Sequence, residues 1–254
     1  MPDSSGIIVL GPYRSGTSVT AQVLSKMGVD FGPKRYLVPA HDWNPGGIFE
    51  RKDINDANDA LIRSIGKTLA DPGDPRELAH SGDRKSYQLA DMRWQQRKGF
   101  WGIKDPRLCA TLLAWLEAGM LDRQTLKIVH VKRGTAAAVK SAMLCPPVRN
   151  FCDGTEAGAE RMLSRYAELA QWHVDTLGIP TLTFDYERLV KEPQAVVEEM
   201  ARFVGITSPS RIQKGVRMIG KGKGRFTLAL ERYFIRGPRR VYRFLTGKGS
   251  LLRQ

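Results

Sequence analysis

The run Ile7-Ile8-Val9-Leu10, followed directly by Gly11-Pro12-Tyr13-Arg14-Ser15-Gly16-Thr17-Ser18, restricts the fold more than any other feature of the chain. A short continuous apolar run that ends at a glycine turn reads as a buried strand. The stretch from residue 17 to 27 then spaces Val19, Val23 and Leu24 along one helical face. A strand, a loop and a helix in this order start a parallel sheet, because the helix carries the chain back to the end where the next parallel strand must begin. Further strand candidates at residues 99–103, 126–131 and 180–184 alternate with helical stretches at 108–119, 134–144, 157–177 and 193–204. The expectation is therefore α/β: a single three-layer α/β domain with a central parallel sheet of about four or five strands and helices on both faces.

Length and composition agree with one domain. The chain has 254 residues, 42% hydrophobic and 26% charged, enough to bury a core and far from the composition of a disordered chain. No apolar stretch approaches the roughly 18–20 residues of a membrane span, and the opening MPDSSGIIVL has no basic leader, so a cytoplasmic location is expected. Cys109, Cys145 and Cys152 are odd in number, and His41, His80, His130 and His173 are scattered, which predicts neither a disulfide framework nor a metal site. Residues 32–98 fit the alternating plan least well, being rich in Pro, Gly, Asp and Arg, with helices expected only at about 53–69 and 86–97. They read as an insertion covering the active site of a domain that spans residues 1–210.

Charge divides the chain in two. Residues 1–210 carry 27 Lys and Arg against 25 Asp and Glu, whereas residues 211–254 carry 13 against Glu231 alone. The body is nearly neutral, which argues against nucleic acid as its partner, and the tail is basic. Residues 226–245 mix Phe226, Leu228, Leu230, Phe234, Val241, Phe244 and Leu245 with five arginines, and Gly237-Pro238 divides them. This basic C-terminal amphipathic segment suits an anionic membrane surface, an acidic glycan or the phosphates of a cofactor, and equally a helix pair packed on the domain with its arginines outward.

Residues 11–18 keep the phosphate-loop spacing G-x-x-x-x-G-K-[ST] at every fixed position except the lysine, where Thr17 stands. Between a strand and a helix, such a loop turns the backbone N–H groups around Ser15, Gly16, Thr17 and Ser18 toward an anion at the positive end of the helix. The cation that reaches the outer phosphates of a nucleotide triphosphate is missing, and Arg14 offers a guanidinium fork inside the loop instead. Arg133, just after the strand LKIVHV, and Ser141, two helical turns further on, supply a second pair of groups suited to one phosphate.

These segments together resemble the sulfotransferases that use 3′-phosphoadenosine 5′-phosphosulfate (PAPS). Arg14-Ser15-Gly16-Thr17-Ser18 is similar to the R-S-G-T-[ST] form of the loop that binds the 5′-phosphosulfate. Arg133 and Ser141 match the Arg and Ser, eight positions apart, that hold the 3′-phosphate, although Gly134-Thr135 follows the arginine where the family has R-x-P or R-D-x. Phe184-Asp185-Tyr186-Glu187-Arg188-Leu189 resembles F-x-Y-E-x-L, whose tyrosine sits by the cofactor. Lys104-Asp105-Pro106-Arg107 resembles the K-D-P element of tyrosylprotein and bacterial members, and Asn44-Pro45-Gly46-Gly47-Ile48-Phe49-Glu50 resembles N-P-x-G-x-x-E of the bacterial ones.

The resemblance implies a P-loop-like sulfotransferase fold and transfer of a sulfuryl group from PAPS, without metal, to a hydroxyl of a glycan, glycolipid or other natural product. Adenosine 3′,5′-diphosphate would be the product. Negative charge grows on the leaving diphosphate during such a transfer, and cations must meet it. Arg14 would do so from the loop and Lys104 from the other side. Ser15, Gly16, Thr17, Ser18, Arg133, Ser141 and Tyr186 would complete the donor site. Glu50, His41 and Asp42 are candidates for the base that takes the acceptor proton, Glu50 being chosen. The plainer reading of Glu50 is an ion pair with Arg51 or Arg14, and Asp105 is expected to orient Lys104. A kinase or nucleotidase using ATP and magnesium is the main alternative, with Asp185 in the position of a metal-binding aspartate. The tail adds a peripheral location on the inner face of a membrane as an option.

Overall fold

The computed structural model describes residues 4–40, 46–96 and 98–219. Four strands, β1 (Ser4–Leu10), β2 (Gly99–Lys104), β3 (Leu126–Lys132) and β4 (Thr181–Asp185), form one parallel sheet in the order β2-β1-β3-β4. Pairing runs Ile8 to Ile103 on one side of β1 and Ile8 to Ile128 on the other. The central strands are buried on both faces, which is why their sequences read as continuous apolar runs rather than alternating ones.

Successive residues of β1 supply two separate cores. Ile8 and Leu10 pack with Ile128 under α2 (Lys52–Ser64), α4 (Leu108–Glu117), α5 (Thr135–Met143) and α7 (Glu156–Thr176). Ile7 and Val9 pack with Val129 and Val131 under α1 (Thr17–Met27) and α9 (Pro193–Val204). This is the three-layer arrangement expected from the sequence. Helix α4 is buried almost all round, with Leu108 to Trp115 all enclosed, as its unbroken apolar composition requires. Short helices α3 (Pro75–Ser81), α6 (Pro146–Phe151) and α8 (Tyr186–Lys191) complete the named elements, and a further helix covers residues 209–219.

Local chemistry accounts for the departures from the sequence reading. Helix α2 stops at Ser64 instead of continuing to residue 69, because Gly66 adopts φ 73° and the amide of Lys67 turns back to Ile62 O. The helix expected at 86–97 is instead two 3-10 turns, Arg84–Leu89 and Arg93–Gln96. Asp83 and Asp91 accept hydrogen bonds from the amides two residues on, which favours short turns over a continuous helix. The boundary drawn at residue 210 falls inside the helix of residues 209–219, whose Ile212, Val216 and Ile219 pack against the second core. The remaining tail, like His41, Asp42, Asn44 and Pro45, lies outside the described residues. No helix among the described residues is long and apolar enough to cross a membrane.

The chain leaves β1 toward β2 on one side, then crosses back over β1 to β3. The crevice beyond the carboxyl ends of β1 and β3 is therefore a topological switch point, where open α/β sheets bind ligands.

Candidate functional site

The loop after β1 is a left-handed turn built from two unlike residues. Gly16 sits at φ 100° and caps α1 without any side-chain hydrogen bond, while Arg14, which has a Cβ, also lies at positive φ, 63°. A non-glycine residue in that region is strained and persists only where its surroundings hold it. Ser15 closes the turn by donating its hydroxyl to Pro12 O at 2.8 Å, with its amide directed to the same oxygen at 3.3 Å. Its side chain is therefore spent on the loop. The uncapped first turn of α1, with Thr17 and Ser18 at its start, retains backbone donors suited to an anion.

Three other segments meet this loop. Arg14 donates from Nε to Ser141 Oγ on α5 at 3.0 Å, and Arg133 at the end of β3 donates from Nη1 to the Arg14 carbonyl at 2.8 Å. The Arg133 guanidinium lies over the Tyr186 ring, 4.8 Å from its centre, and Glu187 stands 3.6 Å from Arg133 Nε, too far for a hydrogen bond. That Nε is buried without a hydrogen-bond partner. Tyr186 in turn presses against Gly16, where a Cβ would come within 2.2 Å of the ring. Arg14, Ser15, Gly16, Thr17, Ser18, Arg133, Ser141 and Tyr186 thus form one cluster at the ends of β1, β3 and β4. Burial lowers the pKa of Arg14 from the ordinary arginine value, and Arg133 lowers it further, whereas Cys145 opposes the shift. Burial raises the Tyr186 phenol, against the pull of Arg133. Two neighbouring guanidinium groups in a partly desolvated crevice favour an anion between them.

A second, buried polar cluster adjoins the loop through Tyr13. Lys104, the last residue of β2, donates to Glu50 Oε1 at 2.5 Å, with Lys104 3% and Glu50 7% exposed. Asn55 donates to the other Glu50 oxygen at 3.0 Å, and Arg107 Nη1 stands 3.7 Å from it. Glu50 is thus paired with Lys104 rather than with Arg51 or Arg14. Arg51 turns away to Asp53 and to Asp91 O, under Tyr36 and Trp94. Asp105 differs from expectation as well. It accepts from the Arg107 amide and Nη1, both at 3.0 Å, and from Asn58 at 2.8 Å, so it anchors Arg107 and not Lys104. Burial works against the charge on Arg107, but Tyr13, Asp105, Glu50 and Asp59 together outweigh it and hold the group cationic, well above its usual range.

Sequence reading assigned no role to Arg107, Asn55, Asn58 or Asp59. The last three sit at i, i+3 and i+4 on α2, so one face of that helix carries polar side chains into a cluster in which Asn58 is fully buried. Asn58 Oδ1 accepts from Thr111 and Trp115, both at 2.7 Å, and Arg107 Nε donates to Asp59. A run of three polar residues at helical spacing beside buried Ile54, Leu61 and Ile62 was the available signal. Among the described residues, no group of three or more His, Cys, Asp or Glu side chains is placed to hold a metal ion. Asp185 is exposed, at the start of α8.

No family model and no curated protein matches the chain. A solved structure described as "Sulfotransferase Domain from the Curacin Biosynthetic Pathway" is similar to it, with 13% sequence identity over 84% of this chain and 78% of that one, and a TM-score of 0.47. Likeness at this level identifies neither a donor nor an acceptor, and the chemistry has to come from the residues themselves.

Proposed function

We propose that the protein is a sulfotransferase that moves a sulfuryl group from PAPS to the hydroxyl of a small-molecule, glycan or glycolipid acceptor. The observation that carries this reading is the convergence of Arg14, Ser141, Arg133 and Tyr186, from three widely separated stretches of sequence, around a loop with an uncapped helix start. Two phosphate-bearing ends on one nucleotide call for two cation-bearing seats next to each other, and these residues supply them.

In this reading the first turn of α1 and Arg14 bind the 5′ end of the donor, and Arg133 with Ser141 bind the 3′-phosphate. Lys104 meets charge on the leaving oxygen or on the sulfuryl group. Glu50, which already accepts a proton-bearing partner at 2.5 Å, takes the acceptor's proton when Lys104 turns to the donor. Atoms balance: the acceptor oxygen bonds to sulfur, the bond from sulfur to the bridging oxygen breaks, and adenosine 3′,5′-diphosphate leaves. We extend the same reading to the basic tail, which on sequence grounds brings the domain to an anionic surface, with a cytoplasmic location on the inner face of a membrane.

The test is transfer of radiolabelled sulfate from PAPS to panels of glycans, lipids and phenols, run beside transfer of labelled phosphate from ATP with magnesium. Labelled sulfate in an acceptor, absent with Glu50→Gln, is the expected result. Labelled phosphate and no sulfate would replace this reading with a kinase.

A further inference from the structure

Arg133 holds the phosphate loop as well as facing the crevice. Its Nη1 donates to the carbonyl of Arg14, the one residue of the loop that keeps a left-handed backbone while bearing a Cβ. The carbonyl of Arg14 and the amide of Ser15 belong to the same peptide plane. Fixing that carbonyl therefore fixes the direction of the amide, and with it the turn through Gly16 into α1. The Ser15 amide makes only a long contact, 3.3 Å, to Pro12 O, so the loop's own hydrogen bonds define the plane weakly.

Arg133 is itself held by the site. Its guanidinium rests on Tyr186, and Tyr186 is wedged against Gly16 without room for a methyl group. Loop, guanidinium and ring therefore close a triangle: Arg14 O to Arg133, Arg133 to Tyr186, Tyr186 to Gly16. The ion pair to Glu187 adds little, since that carboxylate is more than half exposed and 3.6 Å away.

We infer that Arg133 is a positioning residue for the seat of the donor's 5′-phosphate, so that binding at the two ends of the nucleotide is coupled through the Arg14 peptide. This rests on the donor assignment proposed above, and it separates Arg133 from Ser141. Both face the 3′-phosphate in that assignment, but Ser141 touches the loop only through the Arg14 side chain.

The experiment compares two ligands by calorimetric titration: adenosine 3′,5′-diphosphate, and adenosine 5′-monophosphate, which has no 3′-phosphate for Arg133 to touch. Arg133→Met should weaken the monophosphate by about tenfold, the loss of one hydrogen bond from a charged donor. Ser141→Ala should weaken the diphosphate more than the monophosphate, since it loses its contact to the 3′-phosphate as well as one hydrogen bond to the Arg14 side chain. Arg133→Lys, which still reaches a carbonyl with one donor, should recover most of the monophosphate affinity, and Arg133→Ala takes the place of the methionine variant if that does not fold. A wild-type affinity for the monophosphate in both Arg133 variants, with the diphosphate weakened, would overturn the coupling and leave the donor assignment intact. Failure of the wild-type protein to bind either nucleotide would overturn the assignment itself.

Discussion

Replacing the two members of the Lys104–Glu50 pair should have unequal effects, and the inequality can be worked out from their neighbours. Both side chains are nearly inaccessible, and their contact is 2.5 Å. Removing one partner of a buried pair costs about 3–5 kcal/mol, because it strands a charge away from water. Glu50→Met leaves the Lys104 ammonium with no other hydrogen bond or ion pair among the described residues, so the full range is expected. Lys104→Met leaves Glu50 with Asn55 at 3.0 Å and Arg107 at 3.7 Å, which should hold the loss to roughly 1–3 kcal/mol. The double variant, with two apolar chains of similar length, should be no less stable than Glu50→Met alone, giving a coupling of about 1–3 kcal/mol. Urea unfolding of the four proteins, monitored by tryptophan fluorescence and circular dichroism with constant slope, measures all the terms. Single-variant losses under about 0.5 kcal/mol that simply add would show that the pair is solvated, and would refute the reasoning.

Other perturbations give separate checks. His173 is enclosed between α4 and α7, accepting from the Leu113 amide at 3.2 Å, and burial lowers its pKa to about 4 from the usual 6.5. The unfolded chain then binds the extra proton first, so stability is complete above pH 6.5 and falls as the pH drops toward 4. His173→Gln should remove roughly 2 kcal/mol of the difference in unfolding free energy between pH 7 and pH 5, and an unchanged difference would contradict the neutral buried imidazole. Gly16→Ala places a Cβ against the Tyr186 ring at a φ of 100°, and should cost about 1–3 kcal/mol and abolish nucleotide binding. Wild-type melting and binding would show that the loop is not wedged. Removing residues 226–254 should abolish sedimentation with anionic vesicles and spare nucleotide affinity, and unchanged sedimentation would end the membrane reading of the tail.

The sheet and most helices could be read from sequence because apolar runs of strand length and apolar faces of helical period decide which segments pack on the sheet. Helix α1 spans Thr17–Met27, the stretch marked by Val19, Val23 and Leu24, and α9 spans Pro193–Val204 with a proline at its start. Residues 32–98 were harder. Their turns are set by single side chains such as Asp83 and Asp91, whose local hydrogen bonds leave no periodic trace. At the site, residue types and spacing marked Arg14, Arg133 and Ser141, while Lys104 and Glu50 came from the family resemblance, and the fold brings the first three together and separately pairs the last two. The spacing said nothing about which carboxylate would meet which cation. That choice depends on Asp105 taking Arg107, two residues on within the β2–α4 turn, and on Asn58 fixing Asp105, a contact from α2 across 47 positions of the chain. The opposite lesson comes from Arg51. It follows the predicted base in sequence, yet its guanidinium lies between the rings of Tyr36 and Trp94 and is paired with Asp53.

The most direct measurement is calorimetric titration of adenosine 3′,5′-diphosphate, in the presence of a metal chelator, into the wild-type protein and the Arg14→Ala variant. The account predicts one binding site in the wild-type protein, an affinity at least about tenfold weaker in the variant, and no comparable binding of ATP without metal. Undiminished affinity in Arg14→Ala, or no binding of the diphosphate by the wild-type protein, would contradict it.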